Sequence, residues 1–189
     1  MAKIQWKPGT MLYPVPAVLI SCGTVENSNL ITVAWAGTVC SDPVMVSIAI
    51  RPERYSYHLI KESQEFVINL PSRRMVKAVD FCGVKSGRDF DKFKVTGLTK
   101  EAASLVHPPL IKEAPLALEC KVANVLQLGS HELFIANVLA VQVSEELIEE
   151  NGRLNLAKAD LITYVHGHYW TLEKAIGKFG FSVEKRKRK

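Results

Sequence analysis

The sequence predicts a mainly β protein, a closed or nearly closed antiparallel barrel with short helices around it. Two observations predict this. Apolar and polar residues alternate over two long segments late in the chain, joined by a Gly-containing turn. Short β-rich runs recur along the rest of the chain with only brief helical stretches between them, which favours an antiparallel barrel over a doubly wound parallel sheet.

Taken in order, Pro16 to Val25 is a β-rich run and Leu30 to Trp35 a second, separated by turn-prone Glu26-Asn27-Ser28-Asn29, which predicts a hairpin. After Asp42-Pro43, the run Val44 to Ile50 sets Val44, Val46, Ile48 and Ile50 on one face. A short helix is expected from about Ser56 to Ser63, then a strand from Glu65 to Leu70 that Pro71 ends. Met75 to Cys82 reads as helical, and Lys85 to Thr96 as a polar, glycine-punctuated stretch. In the first long strand Leu116, Leu118, Cys120 and Val122 alternate with Ala117, Glu119, Lys121 and Ala123. Leu128-Gly129-Ser130-His131 turns the chain into the second, Leu133 to Val143. A short element near Leu161 to His166 and then Gly167-His168-Tyr169-Trp170 complete the pattern.

Length and composition bound the function. With 189 residues, 48% hydrophobic and 23% charged, the chain is ordinary globular material able to bury a core without metals or disulfides. We expect one domain over 1–180 and a basic tail over 181–189. The net charge of +5 equals the five charges of Lys185-Arg186-Lys187-Arg188-Lys189, so the remainder is close to neutral. A terminal run of like charge reads as a solvated tail and argues against nucleic acid as the main partner. Cys22, Cys40, Cys82 and Cys120 are widely spaced and form no Cys-x-x-Cys pair, which excludes the common zinc and thioredoxin-like patterns. With no signal-peptide layout and no apolar span of membrane length, a cytoplasmic protein is expected.

The dinucleotide and P-loop glycine signatures are missing, as are the Gly-x-Ser-x-Gly elbow and His-Glu-x-x-His. Two segments carry candidate chemistry instead. Asn29 to Pro43 ends a strand in small residues, hydroxyls and Trp35. Small side chains let a flat ligand reach backbone groups and an indole can wall off a ring, although a barrel strand with a core Trp would read the same way. Arg51-Pro52-Glu53-Arg54-Tyr55-Ser56-Tyr57 sets two guanidinium groups and a hydroxyl ahead of a helix start. That suits a phosphate, and equally a helix N-cap serine with two surface arginines.

In order and spacing, several segments together resemble the flavin reductase-like family of FMN-binding split barrels, particularly its flavoredoxin branch. They are Asn29-x-x-Thr32-x-Ala34-Trp35; Ser41-Asp42-Pro43; Arg51 with Ser56; Glu65-Phe66-Val67-Ile68-Asn69-Leu70-Pro71; Cys82-Gly83 with Ser86-Gly87-Arg88-Asp89; Asp91-Lys92-Phe93; and Gly129-x-His131-x-Leu133-Phe134. The resemblance runs from about Thr10 to Trp170. It implies an antiparallel split β-barrel with short peripheral helices, assembled as a homodimer with FMN near the subunit interface.

By the same resemblance Asn29, Thr32, Ala34, Trp35 and Ala36 line the isoalloxazine and ribityl chain, and Arg51, Arg54, Ser56 and Lys92 receive the phosphate. His168 and Tyr169 are expected near the flavin or the dimer seam. His131 would lie near nicotinamide and flavin, the one catalytic candidate. Here, however, Ser130 replaces the family's Asp, and Ala136-Asn137 its Gly-Glu pair, and a solvent-exposed turn histidine fits the residues as well. His166-Gly167-His168 has no nearby carboxylate or cysteine to complete a metal site, so no metal is expected.

The implied activity is NAD(P)H-dependent flavin reduction, with nicotinamide passing hydride to FMN. The alternatives are a flavoredoxin-like electron carrier with permanently bound FMN and protein redox partners, and a flavinless binding module using the basic tail.

Overall fold

The structure, a computed structural model, describes residues 1–184; the Lys185–Lys189 run, most of the expected basic tail, lies outside the described residues. In chain order the strands and helices are β1 (Val15–Pro16), β2 (Val18–Gly23), β3 (Ser28–Val33), β4 (Ala36–Ser41), β5 (Val44–Ile50), α1 (Tyr55–Ser63), β6 (Glu65–Leu70), α2 (Val76–Val84), α3 (Lys92–Thr96), β7 (Lys100–Glu101), β8 (Leu110–Ile111), β9 (Leu116–Leu128), β10 (His131–Val143), β11 (Ile162–Val165) and β12 (His168–Thr171).

Seven strands form one antiparallel sheet in the order β3-β2-β6-β9-β10-β5-β4. Its two end strands, β3 and β4, are joined by only Ala34 and Trp35, so the sheet must curl until its ends meet. Ala49 N–H donates to Trp35 C=O at 2.9 Å across the seam, closing the barrel there, whereas β4 continues outward from β5 as an edge. The mainly β split-barrel architecture expected from the resemblance is therefore the observed one.

Strand alternation fills the interior. Val18, Ile20 and Cys22 of β2, Ile31 and Val33 of β3, Val46, Ile48 and Ile50 of β5, and Phe66 and Ile68 of β6 meet Cys120, Phe134 and Ala136, with Tyr57 and Ile60 of α1 packing on the same cluster. The other face of β2 and β3, through Leu19 and Leu30, packs on Met75, Val79 and Cys82 of the α2 region and on Phe93 of α3. Both faces of these strands are thus buried, which explains their unbroken apolar run.

Four features depart from the sequence expectations. Residues 36–41 form a full edge strand, β4, rather than a strand end. The first long strand runs on to Leu128, through a register shift opposite Ile135 and Ala136. Lys92–Thr96 is a short helix inside the stretch expected to be irregular, capped by Asp91, whose carboxylate accepts from Lys94 N–H at 3.1 Å, and ended by Gly97 at φ 70°.

The fourth departure concerns Glu119, on the polar side of its alternation and yet fully buried. Its carboxylate accepts the backbone N–H groups of Ser104 and Leu105 at 3.0 and 2.6 Å and the Gln142 side-chain amide at 2.6 Å. Glu65 likewise accepts His107 N–H at 3.0 Å. These carboxylates strap segment 102–109 over the barrel, where Val106 packs on Val67 and Ala117.

Candidate functional site

The start of α1 organises the site. Arg54 is the N-cap residue but makes no side-chain capping bond, so the first-turn N–H groups are not satisfied by a cap side chain. Ser56, expected as a possible N-cap, instead lies within the helix, buried, and its Oγ accepts from Asn29 Nδ2 at 2.7 Å. That bond ties the helix start to the first residues of β3.

Around this start is a cavity of about 230 Å³. Its cations are Arg51, Arg54, Lys85, Arg88 and Lys92; its one acidic residue, Glu53, lies 3.7 Å from Arg51. Such a surplus of positive charge, with hydroxyls from Ser56 and Ser86, matches a multiply charged anion. The α2–α3 loop completes the wall. Arg88 donates from Nη1 to Glu53 C=O at 3.1 Å and lies over the Tyr55 ring, which holds this loop against the helix start. A Cβ on Gly87 would fall 2.2 Å from Asn29 Oδ1, so only glycine lets the loop backbone approach so closely.

Lys92 is buried, not the loop lysine its sequence suggests. Its ammonium donates to Leu30 C=O at 2.8 Å and Cys82 C=O at 2.9 Å, which leaves one proton free of these two bonds. Burial, then the Arg54 charge, push its pKa down, outweighing the opposite pull of the cysteines. Burial also pushes the Cys82 thiol up to about 11, so it lines this cavity as a neutral group at neutral pH.

A second cavity, about 150 Å³, shares Ile31, Arg51 and Arg54 with the first and continues along β3 to Thr32, Ala34, Trp35 and His131. Thr32 Oγ1 donates to Val79 C=O, pinning α2 to β3. Burial and then the Arg51 charge hold His131 below its usual pKa, favouring the neutral imidazole near neutral pH; Ser130 Oγ is 2.9 Å from its Nδ1. Beyond Trp35 a third, apolar depression of about 440 Å³ contains Ala36 together with Met11, Leu12 and Leu133.

The structure therefore brings Asn29, Thr32, Ala34, Trp35, Arg51, Arg54, Ser56, Lys92 and His131 to one continuous cleft. Ala36 lies on the far side of Trp35. Tyr169 lines neither cavity of the cleft; its hydroxyl donates to Asp80 on α2 at 3.3 Å. Lys85, Ser86 and Arg88 were not among the residues expected to bind, although their segment carried the resemblance. Among the described residues no group of three or more His, Cys, Asp or Glu is placed to hold a metal. No described helix is long and apolar enough to cross a membrane.

Comparison with known proteins fits this geometry. The family described as "Flavin reductase like domain" matches residues 10–173. An uncharacterised protein of Pyrococcus abyssi (strain GE5 / Orsay) is 38% identical over 146 residues, covering 77% of this chain and 83% of that protein. Two solved flavoredoxins, of Desulfovibrio vulgaris (Miyazaki F) and Methanosarcina acetivorans, are each 28% identical. Both alignments cover 97% of this chain and 100% of theirs, with TM-scores of 0.90 and 0.87.

Proposed function

The chain belongs to the flavin reductase like family, and from that premise we propose that it binds FMN in the cleft and reduces it with NADH or NADPH. The observation that carries this reading is the continuity of the two cavities. A strongly cationic end, walled in part by a loop that a glycine lets approach Asn29, runs directly into a narrower end bounded by Trp35 and the β3 backbone. A phosphate monoester joined to a flat ring system has that polarity.

Arg51, Arg54, Lys85, Arg88, the hydroxyls of Ser56 and Ser86, and the remaining proton of Lys92 would hold the phosphate. Thr32, Ala34 and Trp35 would border the ring, with Ala36 supporting the indole from behind. Bound FMN supplies the capacity to accept a hydride from a nicotinamide and pass electrons on. The protein's contribution is orientation and charge. Arg51, common to both cavities, favours negative charge accumulating at the ring end. His131, neutral beside it, can donate or accept a hydrogen bond to an incoming nicotinamide without adding a second cation. We place this activity in the cytoplasm and in a homodimer. The apolar depression at Ala36 and the exposed Trp6, Met11 and Leu12 support a second copy as cover for this face.

A second reading has its own support. Ser130 and Ala136-Asn137 depart from the reductase pattern, and the flavoredoxin likeness covers nearly the whole chain. Here FMN stays bound and protein partners exchange electrons with it. Anaerobic spectra of the FMN-loaded protein separate the two. Bleaching by NADH or NADPH faster than that of free FMN supports the reductase. Reduction by a low-potential redox protein and by neither nucleotide selects the carrier. Loss of FMN on gel filtration refutes the carrier, and a protein that shows no FMN binding in a titration refutes both.

A further inference from the structure

Four aromatic rings join the cleft to the outer surface of α2. Trp35, which lines the ring end, stands 6.4 Å between centroids from Tyr13; Tyr13 stands 6.1 Å from Tyr164, and Tyr164 5.7 Å from Tyr169. Each step lies in the range of directly packed aromatic pairs, about 4.5–7 Å. The rings come from four places in the chain: the segment before β1, the β3–β4 link, β11 and β12. Tyr164 and Tyr169 face each other across the β11–β12 ladder. All four are half-buried. The series starts at a cleft residue and ends at a phenol hydrogen-bonded to the Asp80 carboxylate at 3.3 Å.

We propose that Trp35, Tyr13, Tyr164 and Tyr169 form a relay that carries an oxidising equivalent out of the cleft to Tyr169, with Asp80 accepting the phenolic proton. In the balanced step, a one-electron oxidant in the cleft removes one electron from Trp35 and is itself reduced by one electron. The indole radical cation is refilled by an electron originating at Tyr169, by way of the intervening rings. The Tyr169 O–H bond breaks, its proton passes to Asp80, and a neutral phenoxyl remains. Oxidised FMN in the cleft would be an oxidant of the needed class only when excited by light, and the inference rests on the proposed function for the flavin's position alone.

The terminal pair suits this role. An oxidised phenol is a very strong acid, so its oxidation is favourable only where a base receives the proton. Burial, and next the Asp80 charge, push the Tyr169 pKa up to about 12. The phenol therefore keeps its proton at rest and releases it only as the electron leaves. Packing of the small β1-β11-β12 sheet needs rings at these positions but does not need the hydroxyl–carboxylate pair, and that difference is testable.

The test has two arms. In the first, the full chain carrying Trp6→Phe and Trp170→Phe, so that Trp35 is its one indole, is oxidised by azide radicals in pulse radiolysis without flavin. The relay predicts that the indolyl signal decays at a rate independent of protein concentration while a phenoxyl signal grows, and that spin trapping labels Tyr169. Tyr13→Phe keeps the ring and should slow the transfer by an order of magnitude; Asp80→Asn should remove most of the Tyr169 label. Absence of intramolecular transfer, an unchanged rate in Tyr13→Phe, or labelling spread evenly over the tyrosines would overturn the relay. In the second arm, the FMN-loaded chain is excited by a blue flash and trapped in the same way. Labelling of Tyr169 supports relay and flavin position together. Success in the first arm with failure in the second rejects the flavin beside Trp35 and leaves the relay standing.

Discussion

Replacing Gly87 by alanine drives a methyl group into Asn29 and Tyr55, two residues that line the cationic cavity. The new Cβ would lie 2.2 Å from Asn29 Oδ1, 2.6 Å from its Cγ and 2.7 Å from Tyr55 Cδ1, where ordinary contact begins at 3.4 Å. Asn29 cannot simply swing away: it is 4% exposed and its amide is bonded to Ser56 Oγ. If Asn29 yields, that bond breaks, at about 1 kcal/mol on top of roughly 1–3 kcal/mol of overpacking. If the loop yields, Ser86 and Arg88 retreat by about 1 Å and a charge-assisted bond to phosphate, about 1.5–3 kcal/mol, weakens or is lost. Gly87→Ala should therefore lower Tm by roughly 4–16 °C if Asn29 yields, or raise the Kd for FMN about 10–100-fold if the loop yields. Titration of FMN fluorescence and a thermal melt measure both. A variant that binds FMN as tightly as the natural chain and melts at the same temperature would refute the close-approach reasoning.

Other substitutions separate binding from scaffolding. Arg88→Ala should weaken FMN binding about tenfold and flatten its salt dependence, while Tm falls by only about 2–4 °C, because the side chain is exposed and its bond to Glu53 C=O is worth about 1 kcal/mol. Lys92→Met leaves the buried Leu30 and Cys82 carbonyls without their donor; a loss of about 2–4 kcal/mol in urea unfolding is expected, whether or not flavin is present. Glu119→Ala strands two amide groups under segment 102–109 and should cost about 3 kcal/mol, with faster amide exchange confined first to that segment. For pH, burial raises the Glu119 and Glu65 carboxyls, but the hydrogen bonds they accept outweigh it and hold both below the ordinary value. A depressed folded pKa means the unfolded chain binds more protons. The contribution is therefore complete above the ordinary carboxyl range and is lost as pH falls through the lower folded values. Urea midpoints should fall as pH drops through the ordinary carboxyl range, about 4, and below it, less steeply in Glu119→Ala.

The long hairpin was legible because one side of each strand faces the barrel interior, and burial on one side imposes period-two alternation. β4 was hidden because Ala36-Gly37-Thr38-Val39-Cys40-Ser41 is an edge, mostly exposed on both faces, and its pairing with β5 leaves no burial pattern to read. The α3 helix is too short for periodicity, although Asp91 and Gly97 marked its ends. The burial of Glu119 was hidden for a different reason. It sits where the strand alternates to its polar side, and the docking of segment 102–109 buries it.

The site divides along the same line. Arg51, Arg54 and Ser56 are neighbours in sequence, so a cationic, hydroxyl-bearing helix start was visible without a fold, although a capped helix with two surface arginines read equally well. The small residues, hydroxyls and indole of Asn29 to Pro43 were visible in the same way, although a barrel strand with a core Trp read no differently. What tertiary structure alone decided was which distant groups join them. Lys85 and Arg88 reach the helix start because Gly87 nests on Asn29, Lys92 turns inward to two carbonyls, and Tyr169 leaves the cleft for Asp80. Local chemistry and alternation are written in short windows of sequence, because they depend on residues a few positions apart. The meeting of a loop, a helix start and a strand is fixed by packing across some sixty residues of chain, and no short window contains it.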